Sequence, residues 1–300
     1  MSLISLGTIA LDNIKTASGT KRLLLGGSAS HFSMSASLFT KVYLVSVIGD
    51  DFPDKYIQLL KRKGVDLSSV TKREGKTFQW DGEYKKGDYN TAITRSTELG
   101  VLLNYDPQVA HEHRNMGNIF LANFDPNVQM KFLKLMRNPR FVGLDSMNLW
   151  INHMRKPVLK LMKKTNLFVL NDGEASKLSG ETNLIKAAKH LRKLGPELIV
   201  IKKGEHGVFF YCDRFMFAFP AYPVENVIDP TGAGDTFAGG LMGYLSKVNK
   251  VNETALRKAV IYATTLASFN VEGFALAKTA SLTLPMVHAR MKKLVKCISP

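Results

Sequence analysis

Thr231-Gly232-Ala233-Gly234-Asp235, preceded by Ile228-Asp229-Pro230 and followed by Thr236-Phe237, is the stretch whose residue types bear most directly on chemistry. Pro230 is a poor residue for a helix interior, so a helix is expected to begin after it. Gly232 and Gly234 let the backbone turn tightly and approach a ligand closely. From about Thr236 the run Phe237, Leu241, Tyr244 and Leu245 has helical spacing. A glycine turn leading into a helix presents unpaired N–H groups and the positive end of the dipole, which together suit an anion. Asp235 stands at that helix start, where a carboxylate ordinarily serves as a cap. Two glycines just before it favour another reading, an anion site with a base beside it.

Four further stretches carry chemistry-bearing residues in order along the chain. Gly7 is followed at a short interval by Asp12; alone, such an aspartate is a turn former. Gly26-Gly27-Ser28 precedes Ala29-Ser30-His31, where His31 either packs or caps a helix, or brings a group that titrates near neutral pH. Asn171-Asp172-Gly173-Glu174 has the composition of a turn and helix cap, and equally of a small oxygen-donor site. Lys202-Lys203-Gly204-Glu205-His206-Gly207 is a glycine turn with two lysines that suit phosphate.

Taken together, these stretches resemble the ribokinase-like carbohydrate kinases of the PfkB family from Gly7 to Gly273, with three motifs in the family's order. The resemblance implies that Gly232, Ala233 and Gly234 form an anion hole and that Asp235 is the general base activating a substrate hydroxyl. It assigns Asp12, Gly26, Gly27 and His31 to the acceptor, with His31 standing where most members carry asparagine. It assigns Asn171, Glu174, Lys202, Gly204, Gly207 and Asn270 to ATP, with Glu174 holding magnesium through water. Asp229 is the implied ligand of a monovalent cation such as potassium. The acceptor is a small molecule, a sugar in the main reading. The competing readings are a nucleoside kinase and a non-catalytic ligand-binding regulator of the same fold. The family's arginine after the Asp145 and Asn148 element is replaced by Leu149 and Trp150, which speaks against a fructokinase.

The elements that must position these residues alternate. Apolar runs at Leu3–Leu6, Val42–Ile48, Ile119–Ala122, Phe141–Leu144, Leu167–Leu170 and Leu198–Ile201 read as strands. Helical spacing falls between them, at Ala29–Phe39, Asp54–Lys63, Asn127–Arg137, Ile151–Lys163 and Leu184–Leu194, and later at Glu253–Phe269 and Leu284–Val295. Alternation of this kind implies an α/β fold, a mostly parallel sheet covered on both faces, with ligands at the carboxyl ends of its strands. The resemblance narrows this to a three-layer αβα ribokinase-like core over residues 1–300, with a small β-sheet lid made from about 10–25 and 76–103. Exposed lid edges need cover, and by analogy with relatives they imply a homodimer.

Composition excludes more than it assigns. No apolar run approaches the roughly 20 residues that span a membrane, and the start of the chain lacks the basic and apolar regions of a signal peptide. Cys212 and Cys297 are too few and too distant for a disulfide framework, so a cytoplasmic location is expected. The net charge of +16 comes from lysines spread along the chain, 29 against 12 arginines, with no basic tail or aromatic-interleaved stripe. Nucleic acid is therefore not the expected partner.

Overall fold

The computed structural model describes residues 2–298. Nine strands form the main sheet and four a smaller one. In chain order the first half contains β1 (Ser2–Leu6), β2 (Ala10–Thr16), β3 (Gly19–Gly26), α1 (Ser28–Ala36), β4 (Lys41–Ile48), α2 (Asp54–Arg62), β5 (Val65–Lys72), β6 (Gln79–Glu83) and β7 (Ile93–Glu98). It continues with β8 (Asn118–Leu121), α3 (Pro126–Leu135), β9 (Phe141–Asp145), α4 (Asn148–His153), α5 (Arg155–Met162), β10 (Leu167–Asn171), α6 (Asp172–Ser179) and α7 (Leu184–Lys193). The remainder is β11 (Leu198–Lys202), β12 (Val208–Tyr211), β13 (Met216–Phe219), α8 (Ala233–Val248), α9 (Glu253–Asn270) and α10 (Leu284–Ile298).

The main sheet runs β13-β12-β11-β10-β9-β8-β1-β4-β5, parallel except for the β12 and β13 hairpin at one edge. Its strands are apolar throughout because both faces are covered. Ile4, Leu121, Phe168 and Ile199 point into a core shared with α3, α5, α6 and α7. Their neighbours Leu3, Phe120, Leu167 and Val200 point the other way, toward α1, α8 and α9. The alternation of side chains along each strand thus fills two cores and gives three layers.

Two expectations needed correction. The helix expected over Ile151–Lys163 is broken between His153 and Arg155. Pro157 has no N–H to offer the His153 carbonyl and its ring crowds that carbonyl, so α4 stops and α5 starts afresh. β5 was not anticipated; its polar residues Asp66, Ser68 and Ser69 lie on a half-exposed edge strand and obscure the apolar pattern.

The smaller sheet has the order β3-β2-β6-β7 and is built from two discontinuous pieces of chain. β2 and β6 run parallel, with Asp12 opposite Trp80. This pairing carries Asp12 out of the main sheet and over the carboxyl ends of its strands.

Candidate active site

Helix α8 starts at Ala233, three residues earlier than the apolar spacing implied. Gly232 caps it in a left-handed conformation, φ 73°. A Cβ built there would lie 2.3 Å from atoms of the His31 ring, so backbone and packing both demand glycine at this turn. The Ala233 amide turns back to the Pro230 carbonyl at 3.2 Å, and the first α-helical bond runs from Thr236 N to Gly232 O at 2.8 Å. That leaves the Gly234 and Asp235 amides as the donors a ligand would meet, with Ala233 less available than expected.

Asp235 occupies the first turn and is half-buried. Burial pushes its carboxyl up to about 8; Asp145 adds to this, Lys202 opposes it, and Asp12 and Glu174 add more. A carboxyl poised near neutrality is suited to accept a proton.

Three residues expected to touch ligands brace this turn in the structure. Asn270 is fully buried: its Nδ2 donates to Thr231 O at 2.8 Å, while its Oδ1 accepts from Thr236 Oγ1 at 2.9 Å. The same oxygen lies 3.1 Å from His31 Nδ1, which fixes the imidazole proton on that nitrogen. Asn270 therefore ties α9, α8 and α1 together. His31 is buried beneath Gly232, and burial pulls it down to about 4, so it is neutral at pH 7. Its Nε2 alone is without a partner. Asp229, expected as a metal ligand, is also fully buried. It spends one oxygen on Thr231 N and the other on Ala275 N, both at 2.8 Å, and so anchors the chain entering the turn.

A further part of the site comes from the smaller sheet. Asp12 is buried, and one of its oxygens, Oδ1, has no partner. Burial drives its carboxyl up to about 7, while the Gly27 amide steadies the charged form and Asp229 opposes it. Gly26 is required here because a Cβ would fall 1.8 Å from Asp12 Oδ2. Tyr84, just beyond β6, is half-buried near Asp229, Asp12 and Asp235, and desolvation raises its phenol.

The neighbouring strands β9, β10 and β11 end side by side in Asp145, Asn171 and Lys202. Asn171 and Lys202 are direct neighbours in register. Asn171 and Glu174 form a full capping box: Glu174 N donates to Asn171 Oδ1 at 2.7 Å, and Asn171 N donates to Glu174 Oε2 at 2.8 Å. Glu174 is buried and thereby raised to about 7, with Lys202 pulling it back. Lys202 Nζ pairs with Asp145 Oδ2 at 3.0 Å. Gly204 and Gly207, both with positive φ (54° and 86°), turn the chain after β11. The loop between β6 and β7 reaches this turn, where Asn90 Nδ2 donates to Glu205 Oε2 at 2.6 Å.

The charge balance tests whether magnesium fits. Asp145, Glu174 and Asp235 gather around the single ammonium of Lys202, a group of oxygen donors that burial holds toward the protonated form and that a divalent cation would help to ionise. Among the described residues no three His, Cys, Asp or Glu side chains converge as a cage. Magnesium suits such a place because it accepts oxygen donors and keeps several waters.

Raised carboxyl groups also set a pH signature. A group whose folded pKa exceeds its unfolded value stabilises the fold at low pH and loses that contribution as pH rises through the folded value. Asp12, Glu174 and Asp235 act this way up to pH 7–8. His31, lowered to about 4, acts in the opposite direction below its ordinary 6.5. Between pH 6.5 and 8.5 the ligand-free protein is expected to lose stability, by at most about 1.4 kcal/mol per pH unit for each titrating group. Thermal melts across that window check it; a rising melting temperature would contradict it.

The pfkB family carbohydrate kinase profile matches residues 9–280. A cytidine kinase of Thermococcus kodakarensis is 29% identical over 260 residues, 84% of this chain and 91% of its own. A nucleoside kinase of Methanothermobacter thermautotrophicus is 27% identical over 296 residues, 90% of this chain and 85% of its own. The fold is shared with Methanocaldococcus jannaschii nucleoside kinase, TM-score 0.75 at 21% identity, covering 97% of this chain and 98% of that one. It is shared also with a putative ribokinase II from E. coli solved with ATP and Mg2+, TM-score 0.81 at 17% identity, covering 97% and 99%. Among the described residues no helix is long and apolar enough to cross a membrane. A glycine turn with a carboxylate in its first helical turn, a second carboxylate facing it from a two-piece sheet, and a family match over most of the chain agree: this protein belongs to the pfkB family of carbohydrate kinases, ATP-dependent phosphotransferases that act on a hydroxyl group.

Proposed function

We propose that the protein transfers the γ-phosphate of ATP to a hydroxyl group of a sugar. The observation that carries the proposal is Asp235 beside the Gly234 and Asp235 amides in the first turn of α8, with its carboxyl raised to about 8. Asp235 takes the hydroxyl proton as the oxygen attacks phosphorus. The two amides receive charge developing on the phosphoryl oxygens. Asp12, held by Gly26 and Gly27, binds the acceptor through hydrogen bonds from neighbouring hydroxyls. The β2, β3, β6 and β7 sheet serves as the lid that keeps water from the phosphoryl group. Magnesium, held with water by Glu174 and Asn171, would neutralise charge on the phosphates. The exposed edge strand β7 is the surface we propose for a lid-to-lid homodimer, which the mass in solution tests.

A second reading makes the sugar the ribose of a nucleoside. It is favoured by the cytidine and nucleoside kinases among the relatives that span most of the chain. The deciding experiment measures ADP release with Mg-ATP and potassium across sugars, nucleosides and sugar phosphates. Turnover confined to nucleosides would select the second reading, and turnover with free sugars the first. No turnover with any acceptor would overturn both. Once an acceptor is found, Asp12→Ala is expected to raise its KM at least about 10-fold, as loss of a charged hydrogen-bond partner implies. The KM for ATP should hardly move; a shift confined to ATP would remove Asp12 from the acceptor site.

A further inference from the structure

The fold gathers basic residues that the sequence scatters. Residues 126–198 carry 14 lysines and arginines against 5 carboxylates, and two of those carboxylates, Asp145 and Glu174, are buried. This stretch supplies α3 to α7, the helices that cover one face of the main sheet. There α5 buries Val158, Leu161 and Met162, and α7 buries Ala187, Ala188 and Leu191. The two helices end side by side, since a Cβ built on Gly195 would lie 2.5 Å from Met162 O. Away from the core, α5 and the residue that ends it carry Lys156, Lys160 and Lys163, while α7 carries Lys186, Lys189 and Lys193, all exposed. Packed helices lie about 10 Å apart, so the two rows make one basic face.

These rows are unfavourable for the helices that bear them. Lys156 and Lys186 stand in first turns that hold no acidic residue, where the helix dipole repels a cation. Lys156 with Lys160, and Lys189 with Lys193, are like charges four residues apart, which repel. Among the described residues none of the six has a carboxylate partner. Other surface helices follow the ordinary rules. α2 begins with Asp54 and ends with Lys61 and Arg62, and α9 pairs Glu253 with Arg257. Solubility asks for charge on a surface, not for charge of one sign. An anionic partner gives the unpaired rows a purpose.

The residue types point to the kind of partner. All six are lysines, compact point charges that suit scattered anionic groups, whereas arginine is the usual reader of nucleic acid. The arginines of these helices are engaged elsewhere, Arg155 on the Lys177 and Leu178 carbonyls and Arg192 on Asp213. Neither helix has a Phe, Tyr or Trp on which a base could stack. Ile185, 39% exposed, lies one helical turn before Lys189 and sets an apolar side chain among the ammonium groups. Lysines around an exposed apolar residue fit the boundary between lipid headgroups and acyl chains.

We propose that the face formed by α5 and α7 docks the protein on a membrane surface bearing anionic lipid headgroups, with the lysines against the headgroups and Ile185 between them. Asp12 and Asp235 stand at the carboxyl ends of the strands, away from this face, so docking leaves the cleft open to substrates. The proposal does not depend on which acceptor is phosphorylated.

The test is sedimentation of the full chain with three probes at about 0.1 M salt: vesicles of phosphatidylglycerol mixed with phosphatidylcholine, vesicles of phosphatidylcholine alone, and a DNA duplex. Binding is expected to the first vesicles, to weaken as salt rises, and to be absent from the second. Each lysine should contribute about 5-fold, so the triple variant Lys156→Gln, Lys160→Gln, Lys189→Gln should bind about 10²-fold more weakly. Relief of like-charge repulsion should leave its melting temperature unchanged or raised, so that the loss reads the face and not the fold. Lys292→Gln, Lys293→Gln and Lys296→Gln together remove the same charge from exposed positions of α10 and should cost far less binding. Equal losses in the two triple variants would overturn the proposal in favour of net charge alone. No binding to the anionic vesicles, or tighter binding to the duplex, would overturn it too. If the first triple variant does not fold, Lys160→Gln and Lys189→Gln decide singly, each with a loss of about 5-fold expected.

Discussion

Replacing Asp235 by asparagine is expected to lower kcat by about 10²-fold or more, the usual contribution of a positioned general base. The amide keeps the size of the carboxylate and cannot accept the hydroxyl proton. Binding should survive, because the Gly234 amide and the turn above His31 do not depend on the charge of Asp235. Stability gives a second readout. Asp235 is raised by burial and by its neighbours Asp145, Asp12 and Glu174, so ionising it strains the folded state. Asp235→Asn removes that strain, and the variant should melt at or above the unaltered protein at pH 8 and show a flatter pH profile. An inactive variant that melts high identifies a residue retained for chemistry at the expense of stability. Near-normal turnover would remove Asp235 from the role of base.

Gly232→Ala is the second substitution with a large expected effect, for two independent reasons. An alanine at φ 73° costs about 1–2 kcal/mol in backbone strain. Its Cβ would also fall 2.3 Å from the fully buried His31 ring, which Asn270 holds in place. The turn must shift, and the amides at the start of α8 shift with it. Displacing a donor from developing charge costs about 10²- to 10³-fold in kcat, and a loss of that order is expected together with a lower melting temperature. His31→Ala in the same chain opens the space but leaves the φ requirement, so the double variant should regain part of the stability lost. Full activity in Gly232→Ala alone would show that the turn tolerates movement and that its geometry does not govern transfer.

What could be read from the chain beforehand was local. Pro230, Gly232 and Asp235 announce a turn and a helix start within a few residues, and Asn171 with Glu174 announces a cap by spacing alone. The two pieces of the smaller sheet were legible because strand-like patterns interrupt an otherwise regular succession of helices and strands. The long-range partnerships were not legible. Lys202 and Asp145 are 57 positions apart, and only the sheet order brings the ends of their strands to one side of the cleft. His31 and Asn270 are 239 positions apart, and nothing near either residue shows that they share a hydrogen bond. Both had been assigned to ligands by the family resemblance. In the structure both are buried and share a hydrogen bond. Asp229 followed the same course, since its backbone partner Ala275 lies on a distant loop. The break at Pro157 was visible in the sequence and was hidden by the apolar spacing on either side.

The place of β1 in the main sheet has a consequence for biosynthesis. Strand β1, made before the other twelve described strands, lies near the middle of the sheet, between β4 and β8. Its partner β4 follows soon after, but β8 ends only at Leu121. At about 5–20 residues per second, the ribosome needs on the order of 4–15 s after completing β4 to deliver β8. During that interval the strand bearing Leu3, Ile4 and Leu6, all fully buried in the finished protein, has one bare edge. A nascent apolar edge is a template for wrong pairing. The site at the far end of the sheet is therefore completed only after a period in which the chain depends on being shielded from its neighbours.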